Sequence, residues 1–474
     1  MIIQYHQTMR ILSIILKSRL LSLTIVFFVL ITLGGYGQEE PRIHVVKPLD
    51  NYYSLSLKYD LTIDELKNAN PGIRTPMPGD TLVIPVKGIL EPVAMKIDCE
   101  RLRVRRPATY RVALMMPLYL EQAADANWVQ NLDPLKISEV APFRFIQFFH
   151  GFILAADSLR KGGMDMEIHV FDVDHQVYKA SKALNDPVMK RVDLIVGPFH
   201  QGSFSLVADF ARKHKIPLVN PVTTRSEVVD DNPYVFKLIP MPESQPETVA
   251  KLIRRDFADH KIIIYTANKY QGGKEVRRLK DSIERNGGYL RYPVTVTDYM
   301  TDSINGFLNH AVTEAPNLVI VYAENETLPA ALLSKLSAQR NDYTITIIGL
   351  PNWEKFNNLE TKYMLDLNAH LLLPAYVDHG DENVKAFLRE YRNRYLDEPM
   401  GYAYTGFDAG YFFLQALSIY GDKFMRCLDY IQIPLLQNQF VFEHARNGSG
   451  YENIHWKILK YANYQLYDRS IQKY

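Results

Sequence analysis

Short apolar runs alternate with amphipathic stretches along most of the chain after residue 110. The runs are rich in Val, Ile and Leu, which is typical of strands covered on both faces of a parallel sheet. Between them, apolar residues recur at helical spacing, as Phe148, Phe149, Phe152 and Ala156 do. This alternation predicts βαβ units and an α/β fold with parallel sheets. The predicted strands form two sets, RVALMMPL, EIHVFDVD, VDLIVGP and IPLVNP between residues 111 and 221, and KIIIYTA, LRYPVTV, NLVIVYA and YTITIIGL between residues 261 and 350.

Length and composition indicate a globular protein of several units. The chain has 474 residues, against roughly 150 for an average domain, and 47% of them are hydrophobic. A formal net charge of +1 gives no signal for nucleic acid, and the basic run CERLRVRRPATYR is predicted to be a solvated linker. The two cysteines, Cys99 and Cys427, are too few for a disulfide framework or a structural zinc site, and whether they pair is left open.

The first 37 residues predict export. Lys17 and Arg19 precede the apolar run LLSLTIVFFVLITLGGYG, and Gly35 and Gly37 at its end resemble a signal-peptidase site. Residues 1–37 are therefore predicted to be a signal peptide that sends the protein to the periplasm or cell envelope. The competing interpretation is an uncleaved membrane anchor, because the apolar run is near the lower length limit for crossing a bilayer.

Residues 43–85 predict a compact βααβ unit, with β-like runs at both ends and two helical patterns between them. The segments YSLSLKYDLT, DELKNANP and PGDTLVIP follow in the order of a LysM module, which this region resembles. The resemblance implies binding of glycans that contain N-acetylglucosamine, here peptidoglycan, in a shallow groove between two loops. The alternative is that Asn-Pro-Gly is an ordinary turn. The residues on the two loops are Leu49, Asp50, Asn51, Tyr52, Asn70, Pro71, Gly72 and Ile73.

After a linker predicted over residues 86–108, residues 109–474 resemble the type I periplasmic binding proteins, especially the branched-chain amino-acid group. GFILAADSLRKGGMDMEIHVFDVD resembles the first helix and second strand of that family, and NPYVFKLIP resembles its crossover into the second lobe. HLLLPAYVDHGDENVKAFLREYRNRYLDEPMGYAYTGFDAGYFFLQAL resembles its return. The resemblance implies two lobes with parallel sheets and hinge crossovers. The first lobe would take residues 109–238 and 374–432, and the second would take residues 239–373 and 433–474.

The turns after two neighbouring strands, GPFHQGSFS and NPVTTRS, are candidate ligand loops. Ligands of open α/β sheets lie beyond the carboxyl ends of strands, where helix amino termini offer free N–H donors. In the resembled family these loops hold a ligand carboxylate, and the facing lobe covers the ligand or meets its amine. The alternative is that the hydroxyl groups only cap helices and that Glu324 is solvated. The predicted ligand-binding residues are Ser203, Ser205, Thr223 and Thr224 from the first lobe, and Tyr270, Glu324 and Trp353 from the second.

Binding, rather than catalysis, accounts for the recognisable segments. The sequence has no phosphate-binding loop, dinucleotide fingerprint, His-Glu-x-x-His helix or close cysteine pair, so no enzyme, cofactor or metal is predicted. DVDH, residues 172–175, is interpreted as the polar end of a strand. The leading hypothesis is an exported protein held on peptidoglycan that binds a small polar solute, such as an amino acid, between its lobes. Its protein partner would then be a permease of the ABC transporter kind, or it would act in sensing.

Two other classes of function stay open. VALMMPL followed by GFILAA also resembles outer-membrane activators of cell-wall synthases, which have this fold without acting as transport receptors. In that case the lobes would dock onto a cell-wall synthase or hydrolase and regulate it. The third class is a glycan-cleaving enzyme, because the separation of paired carboxylates is a three-dimensional property.

Overall fold

The computed structural model describes two compact units, one within residues 1–97 and the other within residues 98–474. The predicted signal peptide and most of the predicted linker lie outside the described residues. The described residues are 42–47, 50, 52–59, 61, 63–70, 73, 75–84, 98–104, 108–124, 141–223, 225–267, 273–286, 288–445 and 448–470.

The first unit confirms the βααβ order. Strands β1 (Arg42–Val45) and β2 (Thr81–Ile84) pair antiparallel, and helices α1 (Tyr52–Tyr59) and α2 (Ile63–Ala69) lie between them in sequence. Alternation along β2 turns Leu82 and Ile84 inward, because successive side chains of a strand point to opposite faces. The small core contains Val46, Tyr52, Leu55, Leu61, Leu66, Leu82 and Ile84.

The second unit contains two seven-stranded sheets, one in each lobe. The first sheet is built from β3 (Tyr110–Met116), β4 (Met166–Asp172), β5 (Leu194–Val196), β6 (Leu218–Asn220), β7 (Val235–Lys237), β13 (Phe442–His444) and β14 (Tyr451–Asn453). Its order is β13-β14-β7-β6-β5-β3-β4. All of its pairs are parallel except β13 with β14.

The second sheet repeats this plan. Its strands are β8 (Lys261–Thr266), β9 (Thr295–Asp298), β10 (Asn317–Tyr322), β11 (Ile345–Leu350), β12 (His370–Leu373), β15 (Lys457–Ala462) and β16 (Gln465–Asp468). The order is β16-β15-β12-β11-β10-β8-β9, with β15 and β16 antiparallel to their neighbours. The first five strands of each lobe therefore have the same order, and both lobes are doubly wound.

Helices connect the strands in both lobes, as the alternating pattern predicts. In the first lobe they are α3 (Cys99–Leu102), α4 (Leu120–Ala123), α5 (Ala141–Lys161), α6 (Val177–Leu184), α7 (Gln201–His214), α14 (Glu382–Tyr395) and α15 (Gly401–Tyr420). In the second lobe they are α8 (Gln245–Leu252), α9 (Gly273–Asn286), α10 (Tyr299–Asp302), α11 (Asn305–Leu308), α12 (Thr327–Ala338) and α13 (Thr361–Asp366).

Helices α5 and α15 pack closely against each other. A Cβ atom at Gly151 of α5 would overlap the carbonyl of Ala403, and one at Gly406 of α15 would overlap the carbonyl of Phe148. Glycine is required at these positions because the two backbones approach directly. The contact fixes the start of α15 within the first lobe.

Two boundaries differ from the sequence prediction. Within the predicted linker, α3 belongs to the second unit, because Cys99 forms a disulfide with Cys427 and Val104 donates a backbone hydrogen bond to Ile419 at 2.8 Å. Within the predicted second lobe, β13 and β14 extend the first sheet, because β14 pairs with β7. The chain thus returns to the second lobe only at β15.

Candidate functional site

Three chain segments cross between the two sheets and form the hinge. They follow β7 near Leu238, β12 near Pro374 and β14 near Asn453. The fully buried Asn453 side chain links the first crossing to the third: its Nδ2 donates to the carbonyl of Leu238 at 2.9 Å, and its Oδ1 accepts from the backbone N–H of His455 at 3.1 Å. Because both ends of the amide are bonded, Asn453 holds these crossings in register.

Asp408 of α15 fixes a further segment, residues 436–440, which runs along the hinge. Its Oδ1 accepts from the backbone N–H of Leu436 at 2.7 Å, and its Oδ2 accepts from that of Gln437 at 3.1 Å. Complete burial raises the pKa of Asp408 to about 7, even though these N–H groups favour the charged form. The hinge therefore contains a carboxyl group that changes charge near neutral pH.

A cavity of about 300 Å³, the hinge cavity, lies where these segments meet the start of α15. Its volume is at the lower end of the range for small-molecule pockets, roughly 300 to 1,000 Å³. Apolar side chains form most of the wall, and they include Pro221, Val222, Leu238, Ile239, Pro374 and Phe440. The polar groups come from Tyr402, Thr405, Gln437 and Asn438.

At the carboxyl end of the first sheet, a carboxylate of the protein itself accepts backbone hydrogen bonds. Between β3 and β5 the strand order reverses, which is where doubly wound folds bind ligands. Asp172, at the end of β4, accepts hydrogen bonds there from the backbone N–H groups of Leu118, Tyr119 and Leu120 at 2.9, 3.0 and 3.0 Å. Consecutive N–H groups of this kind form an anion-binding nest. A ligand carboxylate would have to displace Asp172 to use it.

Aromatic side chains cover the same reversal point. The hydroxyl of Tyr119 and Nε2 of His200 share a hydrogen bond of 3.1 Å. The ring of Phe145 lies edge to face with Phe199 and with Tyr402, at centroid distances of 5.3 Å in both cases. Burial lowers the pKa of His200 and so favours its neutral imidazole. This cluster adjoins the hinge cavity through Tyr402.

Ser203, one of the predicted ligand contacts of the first lobe, makes a hydrogen bond within the protein. It is fully buried in α7, and its hydroxyl donates to the carbonyl of Asp174 at 2.9 Å. The hydroxyl therefore faces the protein interior. Ser205, two residues further, is exposed, and its hydroxyl donates to the carbonyl of Gln201, one turn earlier, at 3.2 Å.

Thr223 and Thr224 are the other two hydroxyl residues predicted in this lobe, and Thr223 holds a local turn. Thr223 is half-buried, and its Oγ1 accepts from the backbone N–H of Arg225 at 3.1 Å. Thr224 lies outside the described residues. Neither hydroxyl loop therefore brings a buried, unpaired donor to the cavity among the residues described here.

The second lobe also differs from prediction. Trp353 is 2% exposed and belongs to the core, where its ring packs on Gly349, so it does not cover a ligand in this conformation. Glu324 follows β10 and is exposed. Tyr270 lies outside the described residues.

A second, smaller cavity of about 160 Å³, the strand-end cavity, lies at the carboxyl ends of β10 and β11. Tyr322 and Leu350 contribute to its wall, and Glu324 does not line it. Four charged residues surround it, and they are Glu243, Lys274, Glu275 and Arg278. It therefore differs from the hinge cavity chiefly in charge.

In the first unit, the described residues of the predicted glycan loops organise the loops themselves. Asp50 accepts from Nε2 of His44 and from the backbone N–H of Lys47, both at 2.8 Å, and these contacts, the backbone one first, hold its pKa below the ordinary value. The hydroxyl of Tyr52 donates to the carbonyl of Ile73 at 2.6 Å. The two loops are therefore tied to each other across the helices.

Asn70 joins the second loop to the sheet. Its Nδ2 donates to the carbonyl of Val83 at 2.9 Å, and its Oδ1 accepts from the N–H of the same residue at 2.8 Å. The buried amide thereby replaces a neighbouring strand along this part of β2. The remaining predicted residues, Leu49, Asn51, Pro71 and Gly72, lie outside the described residues.

The polar residues of the hinge cavity are not among the predicted ligand-binding residues. Tyr402 and Thr405, which line the cavity, stand three residues apart in GYAYTGFDA, and Asp408 follows at the same spacing outside the lining, so the three share one face of α15. That spacing was a usable signal. Gln437 and Asn438 carry no comparable signal, because only the folded chain brings residues 436–440 to α15.

Within the described ranges, no group of three or more His, Cys, Asp or Glu side chains could hold a metal ion. No helix in that part of the chain is long and apolar enough to cross a membrane.

Two doubly wound lobes, three crossings and a cavity at the hinge define a two-lobed binding protein. The family model for periplasmic binding proteins matches residues 140–426, and the chain belongs to this family. The model for the LysM domain matches residues 44–85, so the N-terminal unit is a LysM domain. No curated protein matches the sequence.

Solved structures similar to this chain have low sequence identity to it. One is a protein from Rhodospirillum rubrum assigned to branched-chain amino acid ABC transport, with 16% identity, a TM-score of 0.51, and coverage of 77% of this chain and 100% of that one. Another is full-length LpoA from Haemophilus influenzae, with 12% identity, a TM-score of 0.46, and coverage of 77% and 60%. At these identities the likeness concerns the fold alone.

Proposed function

We propose that this protein is an exported, non-enzymatic solute-binding protein that is held on peptidoglycan by its LysM domain. Membership of the periplasmic binding protein family supports the binding role. The Cys99–Cys427 disulfide supports a location outside the cytoplasm, because such bonds persist in oxidising compartments. The LysM domain supports attachment to glycans of the cell wall.

The hinge cavity is the observation that carries the solute-binding role. Residues of the first two crossings and of the segment 436–440 line it, so a ligand inside it would contact segments that move when the lobes close. Closure around a bound molecule is how hinged proteins of this architecture bury their ligands. Small polar solutes, amino acids among them, are the first class to test.

Calorimetric titration of the chain without its first 37 residues against an amino-acid panel tests the solute. We expect at least one compound of this panel, or of a second panel of N-acetylated and amidated leucine and phenylalanine derivatives, to bind with a dissociation constant in the micromolar range or below. If no compound of either panel binds, the solute-binding proposal fails.

Sedimentation with insoluble peptidoglycan tests the LysM role. The chain from residue 38 onward is compared with residues 98–474, which form a compact unit by themselves. We expect only the longer chain to pellet, and soluble oligomers of N-acetylglucosamine should release it. Equal pelleting of both proteins would contradict the assignment.

A second candidate function is an interaction protein that regulates cell-wall synthesis. The observation favouring it is that Asp172 occupies the nest at the end of β3, while Ser203 and Trp353 are buried. A cleft whose ligand positions are filled by the chain itself suits docking better than solute capture.

Cross-linking in membranes of the native organism distinguishes the two candidates. Capture of a cell-wall synthase or hydrolase, together with no binding in either panel, would establish the second function. Capture of a transport permease with a bound solute would establish the first.

A further inference from the structure

The hinge cavity has no charged side chain among its described lining residues. A zwitterionic amino acid carries two full charges, and each must find an opposite charge or several hydrogen bonds when water is removed. The polar groups of this wall are hydroxyls and amides. They supply hydrogen bonds that orient a ligand, but no opposite charge for an ammonium or a carboxylate.

Two charged groups near the cavity, Asp408 and Lys237, are committed to other partners. Both carboxylate oxygens of Asp408 accept backbone hydrogen bonds, from Leu436 and Gln437. Lys237, next to the lining residue Leu238, is fully buried and pairs with Glu452 at 3.2 Å. Neither group is available to a ligand without breaking a bond of the hinge.

One chain of polar groups does reach the cavity wall. Nε2 of Gln437 donates to Oγ1 of Thr405 at 2.8 Å, and that hydroxyl donates to the carbonyl of Gly401 at 2.9 Å. Oε1 of Gln437 accepts no hydrogen bond from the described residues, and a primary amide oxygen has two acceptor positions. A ligand N–H or O–H group therefore has one well-placed acceptor.

We propose that the hinge cavity binds a small uncharged molecule that has an apolar body and an amide or hydroxyl donor for Gln437. This inference deepens the proposed solute-binding function and rests on it. Prolines, Val222 and Phe440 contact the apolar body, while Gln437 and Thr405 orient the polar group. The ligand class differs from the zwitterionic amino acids that the sequence resemblance implies.

A series of leucine derivatives that differ in the charges of their amine and carboxyl groups tests the proposal. The chain from residue 38 onward is titrated calorimetrically at pH 7.4 with N-acetyl-leucinamide, leucinamide, N-acetyl-leucine and leucine. The corresponding phenylalanine compounds form a second series. We expect the neutral member of at least one series to bind at least tenfold more tightly than its three charged relatives.

Two variants locate the binding. Gln437→Leu and Thr405→Val each remove polar atoms at similar volume, and each should weaken binding of the neutral compound at least fivefold. Thr361→Val is the matched control, because Thr361 is exposed at the start of α13 in the second lobe. Circular dichroism of each variant confirms folding, and Thr405→Val serves if Gln437→Leu does not fold.

The failure of this inference and that of the proposed function are distinguishable. Binding of leucine or another free amino acid, at equal or higher affinity than any neutral compound, overturns the inference and leaves solute binding intact. The same holds if neutral compounds bind but neither variant weakens them. Absence of binding in both this series and the amino-acid panel overturns both.

Discussion

The hinge cavity and the strand-end cavity arise from the same strand order but offer different chemistry. The hinge cavity is bounded by prolines, aromatic rings, hydroxyls and amides, whereas Glu243, Lys274, Glu275 and Arg278 surround the strand-end cavity. Doubly wound topology accounts for open space near strand ends in both lobes. Side chains then decide which ligand class each space admits. Topology alone is therefore a poor guide to the ligand.

The surroundings of the two cavities differ as well. In the first lobe, a disulfide joins α3 to the segment that follows α15, and Asp408 accepts hydrogen bonds from the hinge segment. Asp172 accepts hydrogen bonds from the backbone that follows β3. In the second lobe, Trp353 packs closely on Gly349. Each of these features stabilises one lobe, so substitutions made one at a time compare the contributions to the unfolding free energy.

The largest effect is expected from removing the disulfide. Cys99 and Cys427 are 328 residues apart, and a bond across so long a stretch restricts the unfolded chain strongly. We expect the double variant Cys99→Ser, Cys427→Ser to lose about 6 kcal/mol of unfolding free energy in the chain-entropy limit. Guanidinium unfolding followed by circular dichroism measures it. A loss below about 1 kcal/mol would mean that packing, rather than the disulfide, stabilises the first lobe.

Asp408 should make the first lobe less stable as the pH rises. Its pKa is about 7 when folded and 3.8 in the reference state, so the folded chain holds the proton more tightly. The contribution is fully present below the lower pKa and is lost as the pH rises through 7, by about 3 kcal/mol between pH 5 and pH 8.

Asp408→Asn is the test of that titration. We expect the variant to lose this part of the pH dependence of unfolding, measured at pH 5, 6, 7 and 8 in one buffer system. An unchanged slope would show that another group titrates.

Gly349→Ala tests the second lobe through packing. An added Cβ would overlap the indole of Trp353, and Leu350 beside it lines the strand-end cavity. We expect a loss of about 2 kcal/mol, as overpacked cores show. Gly273→Ala is the matched control in the same lobe, because a Cβ there meets nothing within 4 Å. Equal losses in both variants would contradict the packing argument.

Strand positions were predictable from the sequence because buried parallel strands leave continuous apolar runs. Each of the eight predicted strands overlaps an observed one, from β3 to β6 and from β8 to β11, although β9 shares only Thr295 and Val296 with the predicted LRYPVTV. Strands β13 and β14 were placed in the wrong lobe, because their partner β7 is more than 200 residues earlier and no local pattern encodes that pairing. The pairing of Cys99 with Cys427 is not predictable from the sequence for the same reason, because the two residues are 328 positions apart and no local pattern joins them.

The candidate site was less predictable than the fold. A hydroxyl near a strand end has the same sequence signature whether it faces a ligand or caps a helix, and Ser203 bonds to a neighbouring loop. Burial of Trp353 depends on the space that Gly349 leaves, four residues away. Direction of a side chain follows from packing, which residue type does not specify.

The smallest effects separate two neighbouring serines that the sequence treats alike. Ser203→Ala removes a fully buried hydroxyl and leaves the carbonyl of Asp174 without its donor, so we expect a loss of about 1 kcal/mol. Ser205→Ala removes an exposed hydroxyl that bonds within its own helix, and its effect should stay within about 0.5 kcal/mol. Urea unfolding of the two variants side by side gives the difference. Affinity for whichever compound binds in the calorimetric panels should be unchanged by Ser203→Ala, because its hydroxyl faces the interior. A loss of affinity without a loss of stability would return Ser203 to the ligand site and place the solute at the strand ends instead of the hinge.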